Sequence, residues 1–188
     1  MACLLIDTET TGLPTKTGQE FPDPELFKLY DNSRVVQIAI IKCSKAGEKE
    51  KVQTKYVKCD FKIPNSSFHG ITDEICDQKG YEFDEIADWF FELLTGVEII
   101  IAYNVQFDIN LMLSEFYRIN RKDVVDQIKN KKHTCAMLWG QRVMHFHKYP
   151  KLSEFYKHVL RKDIINAHDA GADVDAMYEA LMRSGFFE

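Results

Sequence analysis

Residues 4–13 read LLIDTETTGL, an apolar run that ends in two closely spaced acids. The apolar run predicts a short buried strand, and side chains two residues apart in a strand leave on the same face, so Asp7 and Glu9 should converge. Two close, buried carboxylates repel each other unless a cation lies between them, and oxygen ligands of this kind suit Mg²⁺ or Mn²⁺. We therefore predict a divalent-metal site at the end of this strand. The alternative is an acidic loop whose turn is marked by Gly12 and Pro14.

Length and composition are those of one folded domain. The chain has 188 residues and ordinary apolar and charged fractions, so we expect a single domain over residues 1–188. The most apolar stretch, 97–103, is too short to cross a membrane, and the first residues do not resemble a signal peptide. The cysteines are odd in number and form no C-x-x-C pair, which favours free thiols in a reducing intracellular compartment. The cytoplasm is the default location and the nucleus an alternative.

The charge is unevenly distributed along the chain. The net charge is −5, yet residues 118–162 contain twelve Lys and Arg against three acids. Such a basic segment beside acidic metal ligands could steer a polyanion towards the site. The alternative is a set of solvated helix faces with a Lys-rich loop at 129–132.

The hydrophobic pattern predicts a mixed α/β fold, with a sheet of about five strands flanked by helices. The second and third strands should form an antiparallel hairpin with the first strand beside them, and the long segment 14–33 should be a loop that serves function or covers a site. The predicted strands are 3–7, 34–43, 51–59, 98–103 and 132–136. The predicted helices are 83–94, 107–117, 137–146, 152–160 and 170–183.

Two further polar clusters stand where predicted elements meet. Asn104 to Asp108 follows a strand and opens a helix, and His168 to Asp173 opens the last helix. Asp108 could simply be an acid favoured by the helix dipole, His168 and Asp169 a capping pair, and Asp173 a solvated helix charge. Their joint occurrence with the acids of the first strand favours one shared site.

Together these motifs resemble those of the DEDDh 3′→5′ exonucleases of the DnaQ-like group. The resemblance rests on DTETTGL at 7–13, N-x-x-F-D at 104–108 and H-x-A-x-x-D at 168–173, with FHGIT at 68–72 as a fourth element. It implies a ribonuclease-H-like sheet and a single-stranded nucleic acid 3′ end as substrate, with DNA weakly favoured over RNA. It also implies catalytic roles for five residues. The metal ligands would be Asp7, Glu9, Asp108 and Asp173, and the general base would be His168, while Asp169 falls on a variable position.

The same resemblance implies a two-metal mechanism that uses Mg²⁺ or Mn²⁺, with an imidazole taking the proton of the attacking water. Leu13 matches a residue that wedges against the terminal base, and His69 matches a substrate contact. A homodimer or a polymerase is a further expected partner, and no membrane is expected. The residues expected to bind substrate are Thr10, Gly12, Leu13, His69, Asn104 and Phe107.

Two alternatives stay open from the sequence. A nucleic-acid-binding or polymerase-docking module of the same fold could lack turnover, although the complete acidic set with His168 argues against it. A phosphatase of the haloacid-dehalogenase type also begins with an acidic motif after a strand. That class normally has Asp where Glu9 stands and a helix after the first strand, whereas this chain has a long loop and a hairpin.

Overall fold

Six strands form one mixed sheet in the computed structural model, which describes residues 2–15, 18, 20–64 and 66–188. The strands lie in the spatial order β4-β3-β2-β1-β5-β6. Their bounds are β1 (Ala2–Thr10), β2 (Val35–Ser44), β3 (Gln53–Val57), β4 (Gly80–Tyr81), β5 (Val97–Ala102) and β6 (Lys132–Cys135). The predicted mixed sheet is confirmed, with one strand more than expected: β4 has only two residues, too few to show an alternating pattern.

β1 occupies the middle of the sheet. It pairs antiparallel with β2 and parallel with β5, and β2 and β3 form the predicted antiparallel hairpin. β1 continues to Thr10, three residues beyond the predicted end, because β2 still offers partners there, with Glu9 opposite Gln37. The two acids therefore lie inside a paired strand rather than in a loop, which removes the acidic-loop alternative.

Eight helices and one short 3₁₀ helix (Phe27–Tyr30) surround the sheet in the described part of the chain. Three of the eight were not predicted. α1 and α2 are short, and α5 carries only three buried apolar residues. The bounds are α1 (Ser66–His69), α2 (Asp73–Lys79), α3 (Phe83–Leu93), α4 (Val105–Arg118), α5 (Lys122–Lys129), α6 (Ala136–Met144), α7 (Leu152–Leu160) and α8 (Ala170–Arg183).

The sheet separates two hydrophobic layers, and β1 contributes alternate residues to each. Leu4 and Ile6 join the core formed with α3, α4 and α5, while Cys3 and Leu5 join the core formed with α6, α7 and α8. This follows from the two-residue period of a strand. By the same alternation, Asp7 and Glu9 belong to the face that α8 covers, and Thr8 belongs to the face that α4 covers.

The segment 14–33 is anchored to the domain by side chains. The Arg118 side chain of α4 donates to the carbonyl of Phe27 at 3.0 Å, and the Ser33 hydroxyl donates to the carbonyl of Gly12 at 2.7 Å. Just beyond it, Arg34 forms a 2.7 Å ion pair with Glu115 of α4, which is almost fully buried. The described residues of this loop are therefore attached next to the end of β1.

All five cysteines are free thiols, as their number and spacing predicted. Within the described residues, no helix has the length and apolar character needed to cross a membrane.

Candidate active site

Three carboxylates converge at the end of β1. Asp7 and Glu9 share one face of the strand, and Asp173 reaches them from the first turn of α8; one ligand oxygen from each lies within 4.8 Å of the others. Burial, followed by repulsion from Asp108 and Asp173, raises the pKa of Asp7 well above its usual range. Burial and the neighbouring acids raise the pKa of Glu9 to about 8. The sequence prediction that these acids converge is confirmed.

Asp108 approaches from the other face of the sheet. It lies in the first turn of α4, is 4% exposed, and its Oδ1 accepts a hydrogen bond from the Thr8 hydroxyl at 2.9 Å. Burial raises the pKa of Asp108 to about 7, and the hydrogen bond from Thr8 opposes this rise. Asp108 is outside the compact group of three, yet it is the largest charged contributor to the raised pKa of Asp7. The fourth acid therefore lies beside the same centre.

The donor set fits a hard divalent cation. Asp173 Oδ1 is buried and has no hydrogen-bond partner among the described residues, while its Oδ2 accepts from the backbone N–H of His168 at 3.2 Å. A buried carboxylate oxygen without a partner is costly, and two acids with raised pKa values, Asp7 and Glu9, lie in the same compact group as Asp173. A cation bound to these oxygens would remove both penalties. Carboxylate oxygens suit Mg²⁺ or Mn²⁺ in particular.

The start of α8 is attached to the sheet by Gln37, a fully buried residue of β2. Its Oε1 accepts from the Ala170 N–H at 3.0 Å, and its Nε2 donates to Asp169 Oδ2 at 3.0 Å. Asp169 in turn caps the helix by accepting from the Ala172 N–H at 3.0 Å. This arrangement sets the position of Asp173 one turn further on. The capping interpretation therefore applies to Asp169, whereas Asp173 points into the acidic group.

His168 lies outside the helix cap and beside the acids. Its backbone has a left-handed φ of +72°, its side chain is exposed, and its imidazole stacks on Phe68 with 4.1 Å between ring centroids. Burial raises the pKa of Asp173, and the neighbouring His168 opposes this rise. His168 and Asp173 also line the same cavity. An accessible imidazole next to the carboxylates has the position expected of a general base.

The turn after β1 is built by hydrogen bonds to one carbonyl. The Thr10 hydroxyl donates to the carbonyl of Gly12 at 2.9 Å, and the Ser33 hydroxyl donates to the same oxygen. A side chain at Gly12 would bring a Cβ to 2.9 Å from the Asn32 carbonyl oxygen, so the turn needs glycine. Leu13 follows with 69% of its surface exposed. This exposure is compatible with the predicted wedge.

His69 is more buried than a direct substrate contact usually is. It is 8% exposed, its Nδ1 accepts from the Ile71 N–H at 3.1 Å, and its ring hydrogen-bonds the backbone of Thr10. Burial lowers its pKa. The residue thus connects α1 to the end of β1, and its contact with substrate stays a prediction.

Asn104 and Phe107 lie at the start of α4. The carbonyl of Asn104 accepts from the Phe107 N–H at 2.8 Å, and the Phe107 ring packs on Phe21 with 5.7 Å between centroids. The loop that precedes β2 therefore partly covers Phe107. The structure places both residues next to Asp108, and their substrate roles also stay predictions.

A cavity of about 600 Å³ opens beside His168 and Asp173. Sequence reasoning missed several residues around this site. Phe68 stands directly before the HGIT element, and Thr8 stands between the two acids of the first motif, so both were visible neighbours of predicted site residues. Gln37 and Tyr149 gave no signal, because nothing in their local pattern links them to the acids.

Fewer Lys and Arg side chains of the basic segment 118–162 are free to attract a polyanion than its composition suggested. Five of its twelve cations form ion pairs with acids, so they are less able to attract a polyanion towards the site. For those five residues, the alternative of solvated helix faces is favoured. They are Arg118, Arg121, Lys148, Lys157 and Lys162.

Comparison with known proteins gives a consistent result. A family model described as RNase_T, exonuclease, matches residues 4–181. No curated protein matches the chain in sequence. A solved structure of exonuclease I superposes with a TM-score of 0.75 at 22% identity, over 97% of this chain and 40% of that one. E. coli exonuclease I in complex with a dT13 oligonucleotide gives 0.71 at 23% identity, over 95% of this chain and 39% of that one. The chain thus spans about 40% of the length of these solved proteins, and the likeness bears on the fold.

Proposed function

Because the chain belongs to the RNase_T exonuclease family, we propose that it is a metal-dependent 3′→5′ exonuclease that releases nucleoside monophosphates from single-stranded nucleic acid. One observation carries the proposal: Asp7, Glu9 and Asp173 place ligand oxygens within 4.8 Å of one another, beside an accessible His168. Exonuclease I structures in complex with dT13 and dA16 oligonucleotides support DNA as the substrate.

The residues that would hold divalent ions are Asp7, Glu9 and Asp173, with Asp108 as the fourth ligand. Two bound Mg²⁺ or Mn²⁺ ions supply charge stabilisation for the scissile phosphate, activation of the attacking water, and stabilisation of the leaving 3′ oxygen. The acids bind these ions only when deprotonated, and their raised pKa values in the metal-free protein mean that metal and protons compete for them.

His168 is the general base of the proposed reaction. Its ring takes a proton from the attacking water as the water oxygen bonds to phosphorus and the bond from phosphorus to the 3′ oxygen breaks. Its exposure lets it pass that proton to solvent. The Gln37 clamp holds the start of α8, so that the base and Asp173 keep their mutual position.

Direction would come from the turn after β1. The exposed Leu13 stands in the turn that follows the strand of Asp7 and Glu9 and can separate the terminal base from its neighbour, while the hydrogen bond from Thr10 to Gly12 holds that turn. Proofreading or repair is the cellular context that such an activity suits, with a polymerase or a second copy of the chain as proposed partner. A structure of SSB with exonuclease I makes a single-strand-binding protein a further proposed partner.

A catalytically silent nucleic-acid-binding module is the second candidate, because the same fold would bind a strand without turnover. The complete acidic set and the unpartnered oxygen of Asp173 favour the enzyme. The family match over residues 4–181 leaves the phosphatase of the haloacid-dehalogenase type without support.

The deciding experiment follows a 5′-labelled single strand in Mg²⁺. The parent should shorten the strand stepwise, a 3′-phosphate should slow it, and a 5′ block should not. Replacing His168 by Asn should lower turnover roughly 10²–10⁴-fold while leaving Mn²⁺-induced thermal stabilisation in place. Cleavage of a covalently closed single-stranded circle at the parent's rate on linear DNA would overturn the exonuclease proposal, and an inactive parent would favour the silent module.

A further inference from the structure

Two exposed aromatic rings line the cavity beside the acidic group. Phe68 is 60% exposed and Tyr149 is 62% exposed, and both share the cavity wall with His168 and Asp173. Large aromatic side chains normally bury most of their surface, so two exposed rings at one opening indicate a binding surface. Phe68 already contacts the His168 ring. Tyr149 comes from a different part of the chain and has no such contact among the described residues.

The backbone that follows Tyr149 is held in place by two hydrogen bonds. The Tyr103 hydroxyl donates to the carbonyl of Pro150 at 2.9 Å, and the Lys151 N–H donates to Glu154 Oε2 at 2.8 Å. On the other side, Lys148 pairs with Glu154 Oε1 at 2.9 Å. The ring itself makes no recorded hydrogen bond within the described residues. Tyr149 is therefore an aromatic ring turned to solvent next to an anchored stretch of backbone, and an exposed ring of this kind can stack with a nucleobase.

We propose that this cavity is a stacking subsite for a nucleobase of the single strand, with Tyr149 as its platform. This inference rests on the proposed function, since it assigns a further contact to the same substrate. A base next to the scissile phosphate lies within reach of the cavity because His168 and Asp173 form part of its wall. Lys151 stands on the same wall and forms no ion pair among the described residues, so its ammonium group is available to a phosphate.

The size of the effect follows from the chemistry of stacking. Removing an aromatic platform weakens single-strand binding by about 5- to 150-fold per stacked base. Every base has a π face, so the subsite should accept all four bases with little preference. The expected loss is therefore in affinity, and it should depend on the presence of a base rather than on its identity.

The test measures binding without turnover. The dissociation constant of a 5′-labelled dT oligonucleotide is measured in EDTA for the parent, Tyr149→Ala, Tyr149→Phe and the control Tyr81→Ala. Tyr81 is another partly exposed tyrosine, on β4 at the edge of the sheet opposite β6. We expect the dissociation constant to rise at least 5-fold for Tyr149→Ala only. Tyr149→Phe should bind about as tightly as the parent because the aromatic ring is kept.

A second arm uses strands with one abasic nucleotide at each of the last four positions. In the parent, one abasic position should weaken binding most, and Tyr149→Ala should be insensitive at that position alone. Equal affinity of Tyr149→Ala and Tyr81→Ala, or equal abasic sensitivity of Tyr149→Ala and the parent, would overturn the subsite. So would a parent that binds no single strand.

Failure of the subsite and failure of the proposed function are distinguishable. A parent that binds the strand through Tyr149 in EDTA but degrades nothing in Mg²⁺ refutes the exonuclease and supports the subsite. A parent that degrades the 3′ end while Tyr149→Ala binds normally refutes the subsite alone. Matching thermal unfolding of all variants shows that the fold is intact, as expected for an exposed ring.

Discussion

Replacing Glu9 by Gln should stabilise the metal-free protein at alkaline pH. Glu9 is 8% exposed, and burial with neighbouring acids raises its pKa from 4.5 to about 8. The folded protein therefore keeps this proton while the unfolded chain releases it near pH 4.5. Since the folded state binds more protons in this window, the free energy of unfolding falls as the pH rises from about 4.5 to 8. Glutamine does not titrate, so Glu9→Gln should remove the part of this fall in stability that Glu9 causes.

The magnitude can be bounded from the same pKa values. A difference between 4.5 and about 8, at roughly 1.4 kcal/mol per pH unit, sets an upper limit of about 5 kcal/mol above pH 8. Because protonation of Asp7 or Asp173 relieves part of the same repulsion, we expect about 2 kcal/mol. For a domain of this size, that corresponds to a rise in Tm of about 4–8 °C.

The assay is thermal unfolding in EDTA at pH 5 and pH 8.5, then with Mn²⁺ added. Glu9→Gln should unfold at a higher temperature than the parent at pH 8.5, with a smaller difference at pH 5, and should gain less from Mn²⁺ because a ligand is lost. The control Glu92→Gln changes an exposed acid of α3 and should shift Tm little at either pH. A Glu9→Gln protein that is less stable than the parent at pH 8.5 would refute the repulsion argument, and an equal gain from Mn²⁺ would refute Glu9 as a ligand.

Two further substitutions test how the site is held. Gly12→Ala should destabilise the protein by about 1–2 kcal/mol and reduce turnover, because the alanine Cβ would lie 2.9 Å from the Asn32 carbonyl oxygen. An unchanged Tm in differential scanning calorimetry would contradict this prediction. Gln37→Leu should lower the free energy of unfolding by about 1–3 kcal/mol and lower kcat more than it raises KM, because the Ala170 N–H and Asp169 each lose a partner that positions α8. Urea unfolding would measure the stability, and steady-state kinetics would measure kcat and KM. Parental values in both measurements would refute the role of Gln37 in positioning α8.

Much of the fold was readable from local pattern. The strand at Leu4 to Ile6 was predicted because a short continuous apolar run is typical of a strand buried on both faces, and both hydrophobic cores do take residues from it. The last helix was predicted with the bounds that the structure gives α8. The ends were less accurate, since β1 continues to Thr10 through pairing with β2, a partner that local sequence cannot show. The two-residue strand β4 exists only because β3 offers it an edge.

The sequence by itself determined that Asp7 and Glu9 meet, because residues two apart share a face of any strand that contains them. Its resemblance to the DEDDh motifs predicted that Asp108, His168 and Asp173 belong to the same site. Only the tertiary structure decided how they meet. Asp173 joins the two acids of β1 because α8 packs on their face of the sheet, whereas Asp108 comes from α4 on the other face and bonds Thr8. Contacts of this kind join residues far apart in the chain, so no local periodicity encodes them.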